Sequence, residues 1–465
     1  MILDPLNAPT EPDGAGRSRA NPVLGPVLVR CFDRGLPRIQ RRAIGVDGLV
    51  LGRDAVVFDE PLRDARLAGR HARLERLGSE VAIRDLGSPV GTVVNGERVA
   101  DVQVLNVGDV IRLGEALFVY TLSAPADRPP DPSMIGGSAA VAAIRRSIDA
   151  VAPRRHAVVI TGETGTGKEV VAKSIHDRSG RTGPFIAVNC STFADALLAS
   201  ELFGHVRGAF TGAVSENAGL FRAARGGTLL LDEAADLPLP VQAALLRVLE
   251  TQTVRPVGAT RDVEIDVRVI ATTNREITEL VRCNRFRADL YARLAQWTIR
   301  TPTLASRRDD IPELIANLLP RVDGGGRRLS AELCEALLLH EWPLNVRGLL
   351  NVLSIAVVSA DDDRGPLGLT PDVVEVLART RSLRPDEPPP AQAQAPTVGP
   401  APEVGWSPPR TLDRDELEAL MVRFQGHVAA AARHVGMNRP KLYRMLDAYG
   451  LEPNGFRTSR GPGGR

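Results

Sequence analysis

Residues 156–176 read HAVVITGETGTGKEVVAKSIH, an apolar run followed by a glycine-rich turn and a helix-forming segment. The spacing G-x-x-x-x-G-K between a strand and a helix is the pattern of a phosphate-binding loop. In such a loop, inward-turned backbone N–H groups, the helix N-terminus and a lysine supply positive potential to phosphate groups. We therefore predict that a nucleoside triphosphate binds here, held by Gly162, Glu163, Thr164, Gly165, Thr166, Gly167, Lys168 and Glu169.

Lysine is rare in this chain, which favours a specific role for Lys168. Of 58 basic residues only Lys168, Lys173 and Lys441 are lysine, and a compact ammonium is not always exchangeable for a planar guanidinium. The alternative, a glycine-rich turn with an incidental lysine, leaves the agreement of strand, helix and lysine unexplained. Glu169 departs from the usual pattern, because a Ser or Thr commonly offers its hydroxyl to Mg²⁺ at this position.

Two carboxylates follow a second apolar run, GGTLLL at residues 226–231. Asp232 would hold Mg²⁺, directly or through water, and Glu233 would polarise the attacking water as general base. A third run, residues 267–273, is followed by Asn274, which we expect near the same edge of a parallel sheet. These residues predict hydrolysis of a nucleoside triphosphate, with Mg²⁺ as the cofactor.

Residues 201–213, between the two nucleotide motifs, read ELFGHVRGAFTGA. With this hexapeptide GAFTGA and with GKE in place of GK[ST], the central block resembles the AAA+ domain of bacterial enhancer-binding proteins, the activators of sigma-54 RNA polymerase. The resemblance implies a ring, usually a hexamer, in which ATP hydrolysis drives a surface loop against sigma-54 and remodels the closed promoter complex. It assigns the sigma-54 contact to Gly208, Ala209, Phe210, Thr211, Gly212 and Ala213. Taken alone, the hexapeptide could also be an ordinary glycine turn with a buried Phe210.

The same resemblance assigns further catalytic residues by matching text. Asn189 in FIAVNCS matches the residue that couples nucleotide state to Glu233, and Arg287 and Arg293 match the two arginines that reach the neighbouring subunit's ATP. Arg347, in WPLNVRGLLN, matches the position that senses nucleotide from a helical lid. An arginine acting in trans would make hydrolysis depend on ring assembly.

These arginine assignments have local alternatives and departures. Asp289 and Arg293 stand four residues apart, so an ion pair within one helix is the alternative role for Arg293. Leu344 replaces a glycine of the family pattern and Gly348 replaces an acid. We therefore expect another backbone conformation before the lid helix and some loss of helix propensity.

Composition shifts divide the 465 residues into three folded blocks, as expected at roughly 150 residues per domain. We predict a multidomain protein with an all-β sandwich, an α/β P-loop ATPase with a helical lid, and an all-α helix-turn-helix. The predicted boundaries are a flexible N-terminus at 1–25, the sandwich at 26–123, a linker at 124–133, the ATPase at 134–378, a Pro/Ala-rich linker at 379–410, the helix-turn-helix at 411–452 and a disordered tail at 453–465.

The first block resembles a forkhead-associated (FHA) domain, a β-sandwich whose loops bind phosphothreonine peptides. The resemblance rests on a Gly52-Arg53 pair, on AGRHARL at 68–74, on DLGSPVGT at 85–92 and on VNG at 94–96. Arg53 and Arg70 could pair with phosphate. Phosphothreonine binding is doubtful, however, because AGRH replaces the usual S-R-x-H and VGT replaces N-G-T, so that three donors are lost. We expect His71 to be structural, and the block to regulate through protein contacts.

The last block resembles the Fis-type domain of enhancer-binding proteins. Its apolar residues recur at helical spacing in three sets, and Gly436 supplies the tight turn of a helix-turn-helix. The final helix would present polar and basic side chains to phosphates and base edges of double-stranded DNA. A small dimerisation bundle with a solvated basic face is the alternative. The DNA-binding candidates are Asn438, Arg439, Lys441, Tyr443 and Arg444.

Composition limits the classes of protein to which this chain can belong. Apolar residues make up 43% and charged residues 25%, which is ordinary for a globular protein, and no apolar run approaches the ~20 residues that span a bilayer. We expect a cytoplasmic protein with reduced cysteines. The leading hypothesis is an ATP-driven activator of sigma-54 RNA polymerase. Its rivals are a DNA-bound regulatory scaffold that uses nucleotide only as an assembly switch, and a AAA+ remodeller of other substrates.

Overall fold

A computed structural model describes residues 24–123, 134–193, 195–210, 212–360, 362, 365–382, 414–423, 445, 446, 449 and 451. The chain divides into two units, residues 1–388 and 389–465. Among the described residues, no helix has the length and apolar character that crossing a membrane requires. The first unit contains the β-sandwich, the α/β domain and the lid.

The first block forms a sandwich of two antiparallel sheets. The larger sheet has the order β2-β1-β10-β9-β6-β7 and the smaller one the order β3-β4-β5-β8. Strands occupy the apolar runs at residues 80–83, 110–113 and 117–122, and the run at residues 49–52 except for Gly52. The bounds are β1 Gly25–Asp33, β2 Leu36–Ala43, β3 Leu49–Leu51, β4 Ala72–Leu77, β5 Glu80–Asp85, β6 Thr92–Val94, β7 Glu97–Arg98, β8 Val102–Leu105, β9 Val110–Leu113 and β10 Ala116–Ser123.

The central block is a five-stranded parallel sheet with helices, in the strand order β12-β13-β16-β11-β17. The predicted strands ending at Thr161, Leu231 and Thr273 are β11, β13 and β16. The strands are β11 Val158–Thr161, β12 Phe185–Asn189, β13 Thr228–Asp232, β16 Arg268–Thr273 and β17 Trp297–Arg300, with a small hairpin of β14 Thr253–Val254 and β15 Val263–Glu264. The helices are α1 Ala139–Val151, α2 Lys168–Asp177, α3 Asp195–Phe203, α4 Leu220–Ala223, α5 Leu239–Thr251, α6 Ile277–Arg282 and α7 Ala288–Leu294.

Helices α8–α11 form the lid that follows the sheet. They are α8 Ile311–Leu318, α9 Ala331–Leu339, α10 Asn345–Val358 and α11 Pro371–Arg381, and a 3-10 helix, Leu304–Asp310, leads into α8. Helix α11 is capped at its start by Thr370 and continues to Arg381, three residues past the predicted domain end at residue 378. In the second unit, α12 spans Arg414–Arg423 and buries Leu417, Leu420 and Met421, as the apolar periodicity predicts.

The sandwich and the lid share one apolar core, which the division into separate blocks did not anticipate. Successive side chains of a strand point to opposite faces, so β1 places Leu28 in the sandwich interior and Val27, Val29 and Cys31 on the outer face. That outer face packs with Ile311 and Ile315 of α8 in a continuous cluster. The larger sheet is therefore covered on both sides.

Candidate functional site

The glycine-rich loop lies between β11 and α2 at the carboxyl edge of the parallel sheet. Gly165 has φ +78°, and a Cβ at this position would fall 2.3 Å from the carbonyl oxygen of Leu344 in the lid. Only glycine fits there, since any side chain would displace the lid from the loop. Helix α2 begins at Lys168 without a side-chain cap, which leaves its N-terminal end to the loop itself.

Lys168 is buried at the centre of this edge. Its Nζ donates to the carbonyl oxygens of Gly162 at 2.9 Å and Glu163 at 3.3 Å. Burial lowers the pKa of the Lys168 ammonium, while the charges of Glu233 and Asp232 act in the opposite direction and that of Arg347 adds to the lowering. The structure thus brings the predicted lysine, both acids and the lid arginine within electrostatic reach of one another.

The two acids stand at the end of β13. Thr272, on the neighbouring strand β16, donates from its hydroxyl to Asp232 Oδ1. Glu233 has a left-handed φ of 51°, and its Oε2 accepts the backbone N–H of Asn274 at 3.2 Å. The amide Nδ2 of Asn274 reaches Thr164 Oγ1 at 3.2 Å, so this residue links the acid to the phosphate-binding loop.

Asn189 lies opposite Asp232 in the register of β12 with β13. Its side-chain oxygen accepts hydrogen bonds from the backbone N–H and the hydroxyl of Ser191, at 2.9 and 2.7 Å. In this conformation, the Asn189 side chain is hydrogen-bonded to Ser191 and does not bridge to Glu233. The residue that contacts the carboxylate is Asn274.

The lid contributes residues that the sequence motifs did not single out. Asn345 is fully buried with φ 49°, and its Nδ2 donates to Glu163 Oε2 at 3.1 Å and to the carbonyl oxygen of Thr164 at 3.0 Å. Its Oδ1 accepts the backbone N–H of Leu304 at 2.7 Å. An asparagine directly before a helical run, next to a predicted sensor arginine, is the signal that could have found it, because asparagine tolerates the left-handed region.

The residue before α10 departs from the family pattern without breaking the helix. Leu344 takes a right-handed φ of −101°, and the left-handed conformation falls on Asn345 instead. Gly348 is buried within α10, which runs to Val358. Arg347 is exposed next to the phosphate-binding loop, where Val346 donates its backbone N–H to the carbonyl oxygen of Gly165 at 3.0 Å.

The two candidate arginine fingers flank α7. Arg287 precedes the helix and forms a bidentate pair with Asp289, at 3.0 and 2.7 Å, which raises the pKa of its guanidinium. Arg293 is exposed and donates to the carbonyl oxygen of Leu249 at 3.4 Å. The alternative ion pair between Asp289 and Arg293 is therefore wrong, because Arg287 occupies the carboxylate. The buried positions of this segment are Phe286, Leu290 and Leu294, as the helical spacing predicts.

Backbone hydrogen bonds join the described residues of the GAFTGA hexapeptide, which are 208–210, 212 and 213. Gly208 donates its backbone N–H to the carbonyl oxygen of Ala213 at 2.9 Å, and Ala213 donates to Phe210 at 3.0 Å. The Phe210 side chain is 42% exposed and packs edge-on against His205, with 5.0 Å between ring centroids. The alternative of a buried phenylalanine is therefore wrong. Thr211 lies outside the described residues.

The two loops of the sandwich that carry the predicted phosphate-binding residues Arg53 and Arg70 lie next to each other. Arg53 and Asp54 donate their backbone N–H groups to the carbonyl oxygens of Ala68 and Gly69, both at 3.0 Å. A Cβ on Gly69 would fall 2.1 Å from Asp54 Oδ2. The Asp54 carboxylate therefore occupies the space that a side chain at position 69 would need.

Both loop arginines, Arg53 and Arg70, are exposed. His71 is buried and bonds to the carbonyl oxygen of Gly91 at 3.1 Å, which fits the structural role predicted for it. The DNA-binding candidates Asn438, Arg439, Lys441, Tyr443 and Arg444 lie outside the described residues.

Four family models match the chain in the predicted order. They are the FHA domain over residues 49–114, the Sigma-54 interaction domain over 134–300, the AAA+ ATPase lid domain over 305–372, and the Bacterial regulatory protein, Fis family, over 408–449.

Several curated regulators are similar to this chain over half to about two thirds of its length. Transcriptional regulatory protein GlrR of Escherichia coli (strain K12) is 40% identical over 305 residues, which are 64% of this chain and 64% of GlrR. Regulatory protein LuxO of Vibrio cholerae serotype O1 is 38% identical over 322 residues, 68% of this chain and 69% of LuxO. Sigma54-dependent transcriptional activator SfnR of Pseudomonas putida is 42% identical over 248 residues, 50% of this chain and 68% of SfnR. The chain thus spans somewhat less than two thirds of GlrR and just over two thirds of LuxO and SfnR.

Proposed function

Because the chain belongs to the family of sigma-54-dependent transcriptional regulators, we propose that it is an ATP-driven activator of sigma-54 RNA polymerase. The C-terminal helix-turn-helix tethers it to an upstream DNA site. The AAA+ domain assembles into a ring, hydrolyses ATP, and acts on the closed promoter complex through the GAFTGA loop. We expect an activator that acts on DNA and polymerase to be cytoplasmic.

The observation that carries the ATPase is the convergence of Lys168, Asp232, Glu233 and Arg347 at one sheet edge. Lys168 neutralises charge on the transferring phosphoryl group, and Glu233 accepts the proton of the attacking water. Asn274 holds the Glu233 carboxylate through its backbone N–H, which fixes the direction of that proton transfer.

The donor set at this edge suits Mg²⁺. Asp232 offers hard carboxylate oxygens, and the buried Thr272 hydroxyl orients that carboxylate by donating to it. Mg²⁺ usually binds through one or two protein oxygens together with substrate phosphates, where the ion would screen phosphate charge.

Ring assembly completes the site in this proposal. Arg287 has 44% of its side chain exposed and is paired with a carboxylate on its own segment, so its guanidinium is accessible to a neighbouring subunit's phosphates. Arg293 is exposed on α7, six residues further along the chain. Delivery of these arginines in trans makes hydrolysis depend on a closed oligomer, for which a hexamer is the expected size.

Phe210 is the group that we propose touches sigma-54. An exposed aromatic side chain on a turn of small residues is a large apolar contact that a partner can bury. The sandwich regulates the ATPase by protein contact. Phosphopeptide binding by Arg53 and Arg70 is the weaker part of this proposal, because the carboxylate of Asp54 adjoins the site and repels a phosphate.

Transcription in vitro from a sigma-54 promoter tests the proposal. With purified protein and an upstream binding site, transcript should appear with ATP and be absent with a non-hydrolysable analogue. Equal transcript with the analogue would favour a nucleotide-dependent scaffold instead, and transcript with neither nucleotide would reject the proposal.

A further inference from the structure

The 3-10 helix Leu304–Asp310 connects three parts of the first unit. Arg307 is buried and its Nη2 donates to the carbonyl oxygen of Thr166 in the phosphate-binding loop at 3.1 Å. The next residue, Arg308, donates to the carbonyl oxygen of Gly108 in the sandwich at 3.0 Å. One turn of chain therefore contacts both the nucleotide site and the FHA-like domain.

The following two residues are a buried pair of carboxylates. Asp310 is fully buried and accepts the backbone N–H groups of Gly137 at 2.7 Å and Ser138 at 2.8 Å, together with the Ser138 hydroxyl at 2.5 Å. Ser138 in turn caps α1, so Asp310 fixes the start of that helix. Asp309, only 4% exposed, stands beside it with a second negative charge.

Arg41 of β2 is the cation that the sandwich places against this pair. Its Nη2 donates to Asp309 Oδ2 at 3.1 Å and lies 3.9 Å from Asp310 Oδ1. A Cβ on Gly137 would fall 2.6 Å from Arg41 Nη1, so the guanidinium rests directly on the backbone that leads into α1. Arg41 thus contacts both the 3-10 helix that leads into α8 and the segment that precedes α1.

Building on the proposed ATPase activity, we propose that Arg41 is a positioning residue for the nucleotide site, supplied by the FHA-like domain. Two adjacent buried carboxylates repel each other, and Arg41, which lies within 4 Å of both, is the cation that the sandwich adds to the buried Arg307 to balance them. With that balance, Asp310 holds the start of α1 and Arg307 holds the carbonyl of Thr166. Without it, the 3-10 helix shifts to relieve the repulsion, and the phosphate-binding loop loses its support.

This arrangement makes the docked sandwich part of the ATP-binding apparatus. A partner that pulls the sandwich off the lid would withdraw Arg41 and weaken nucleotide binding. Removal of residues 1–131 is a poor test, because it would also expose the apolar face of α8 that packs on β1. Single substitutions in the intact chain separate the two effects.

The test compares Arg41→Gln with Arg112→Gln in the full-length protein. Arg112 crosses the same interface, with Glu335 at 2.8 Å and Glu332 at 3.3 Å on α9, and so is the matched control. The measurements are KM and kcat for ATP and the dissociation constant of a fluorescent ATP analogue, all without polymerase. For Arg41→Gln we expect KM and the dissociation constant to rise about fivefold, the lower end of the usual coupling between two sites. For Arg112→Gln we expect both to stay unchanged.

Two further variants keep the inference falsifiable. Arg41→Lys retains a cation and should recover most of the affinity, and Asp309→Asn added to Arg41→Gln should do the same by removing the uncompensated charge. Equal KM values for ATP in Arg41→Gln and Arg112→Gln would overturn the role of Arg41. Failure of both rescue variants to recover any affinity for ATP would overturn it as well. If Arg41→Gln does not fold, Arg41→Gln with Asp309→Asn replaces it, and a fivefold rise there would also overturn the inference. Absence of ATP hydrolysis by the wild-type protein would instead contradict the proposed function.

Discussion

The amide Nδ2 of Asn345 donates to Glu163 Oε2 over 3.1 Å, so the first residue of lid helix α10 is bonded directly to the phosphate-binding loop. The same amide reaches the carbonyl oxygen of Thr164, whose hydroxyl accepts from Asn274. A continuous polar path therefore runs from the lid through the loop to Glu233.

Replacing Asn345 tests the importance of this connection. Asn345→Gly keeps the left-handed backbone but leaves buried donors and acceptors unpaired, which costs about 1–3 kcal/mol of folding free energy. We expect KM for ATP to rise more than kcat falls. Steady-state ATPase assays and thermal unfolding check this. Ser354→Ala on the same helix, which loses one bond to the Leu350 carbonyl, is the control. A similar KM for both variants would contradict the lid connection.

Lys168→Ala should abolish hydrolysis, because it removes the buried ammonium that faces the phosphates. We expect kcat to fall at least ~100-fold, as for loss of a transition-state donor. The control is Lys173→Ala on the same helix, since Lys173 is exposed and pairs with Asp177 at 2.6 Å. Phosphate-release assays on both variants decide the matter. Comparable losses of ATP hydrolysis in the two variants would mean that the substitutions act by disturbing α2 rather than by removing the Lys168 ammonium.

The trans role of Arg287 predicts complementation between two inactive variants. Arg287→Ala should bind ATP normally but turn over ~10³-fold more slowly. Lys168→Ala subunits retain the arginine, so mixing them with Arg287→Ala subunits should restore part of the ATPase activity. The activity of the mixture across a range of ratios is the readout. Activity that never exceeds the sum of the separate proteins would argue against a shared site.

Asp309 gives a pH dependence of stability with a definite sign. Burial, together with the adjacent Asp310 carboxylate, raises the pKa of Asp309 from 3.8 to about 6, although the facing Arg41 lowers it. A carboxyl whose folded pKa is raised contributes stability that is lost as pH rises through that value. We expect this group to favour folding by about 1 kcal/mol more at pH 5 than at pH 7.5.

Chemical denaturation at pH 5 and pH 7.5 gives the change in the free energy of unfolding between the two pH values. The contribution of Asp309 is the difference between this change in the wild type and in Asp309→Asn, which lacks the titrating carboxyl. Ionisable groups remote from Asp309 titrate alike in both proteins and cancel in the comparison. An identical pH slope for wild type and variant would contradict the raised pKa.

Much of this architecture could be predicted from the sequence, because its signals are local. The loop glycines, the apolar runs ending in Asp232 and Glu233, and the helical stripe of Phe286, Leu290 and Leu294 each follow from spacing alone.

The long-range contacts could not be read in this way. Arg41 and Asp309 are separated by 268 positions, and nothing local to either residue indicates its partner. Apolar residues on both faces of β1, such as Leu28 and Val29, were compatible with burial on both faces, but they did not identify the lid as the covering element. The pairing of Asp289 with Arg287 rather than Arg293 was likewise decided by the non-helical conformation of Arg287.

The central claim is that the free energy of ATP hydrolysis is transmitted to sigma-54 through the GAFTGA loop. The variant Thr211→Ala tests this claim most directly. The measurement is open-complex formation at a sigma-54 promoter, made alongside ATPase activity in the same preparation. Val214→Ala, at an exposed position just outside the hexapeptide, is the control and should keep both activities. The account predicts that Thr211→Ala hydrolyses ATP at the wild-type rate and forms no open complex. Open complexes at the wild-type level with this variant would contradict it.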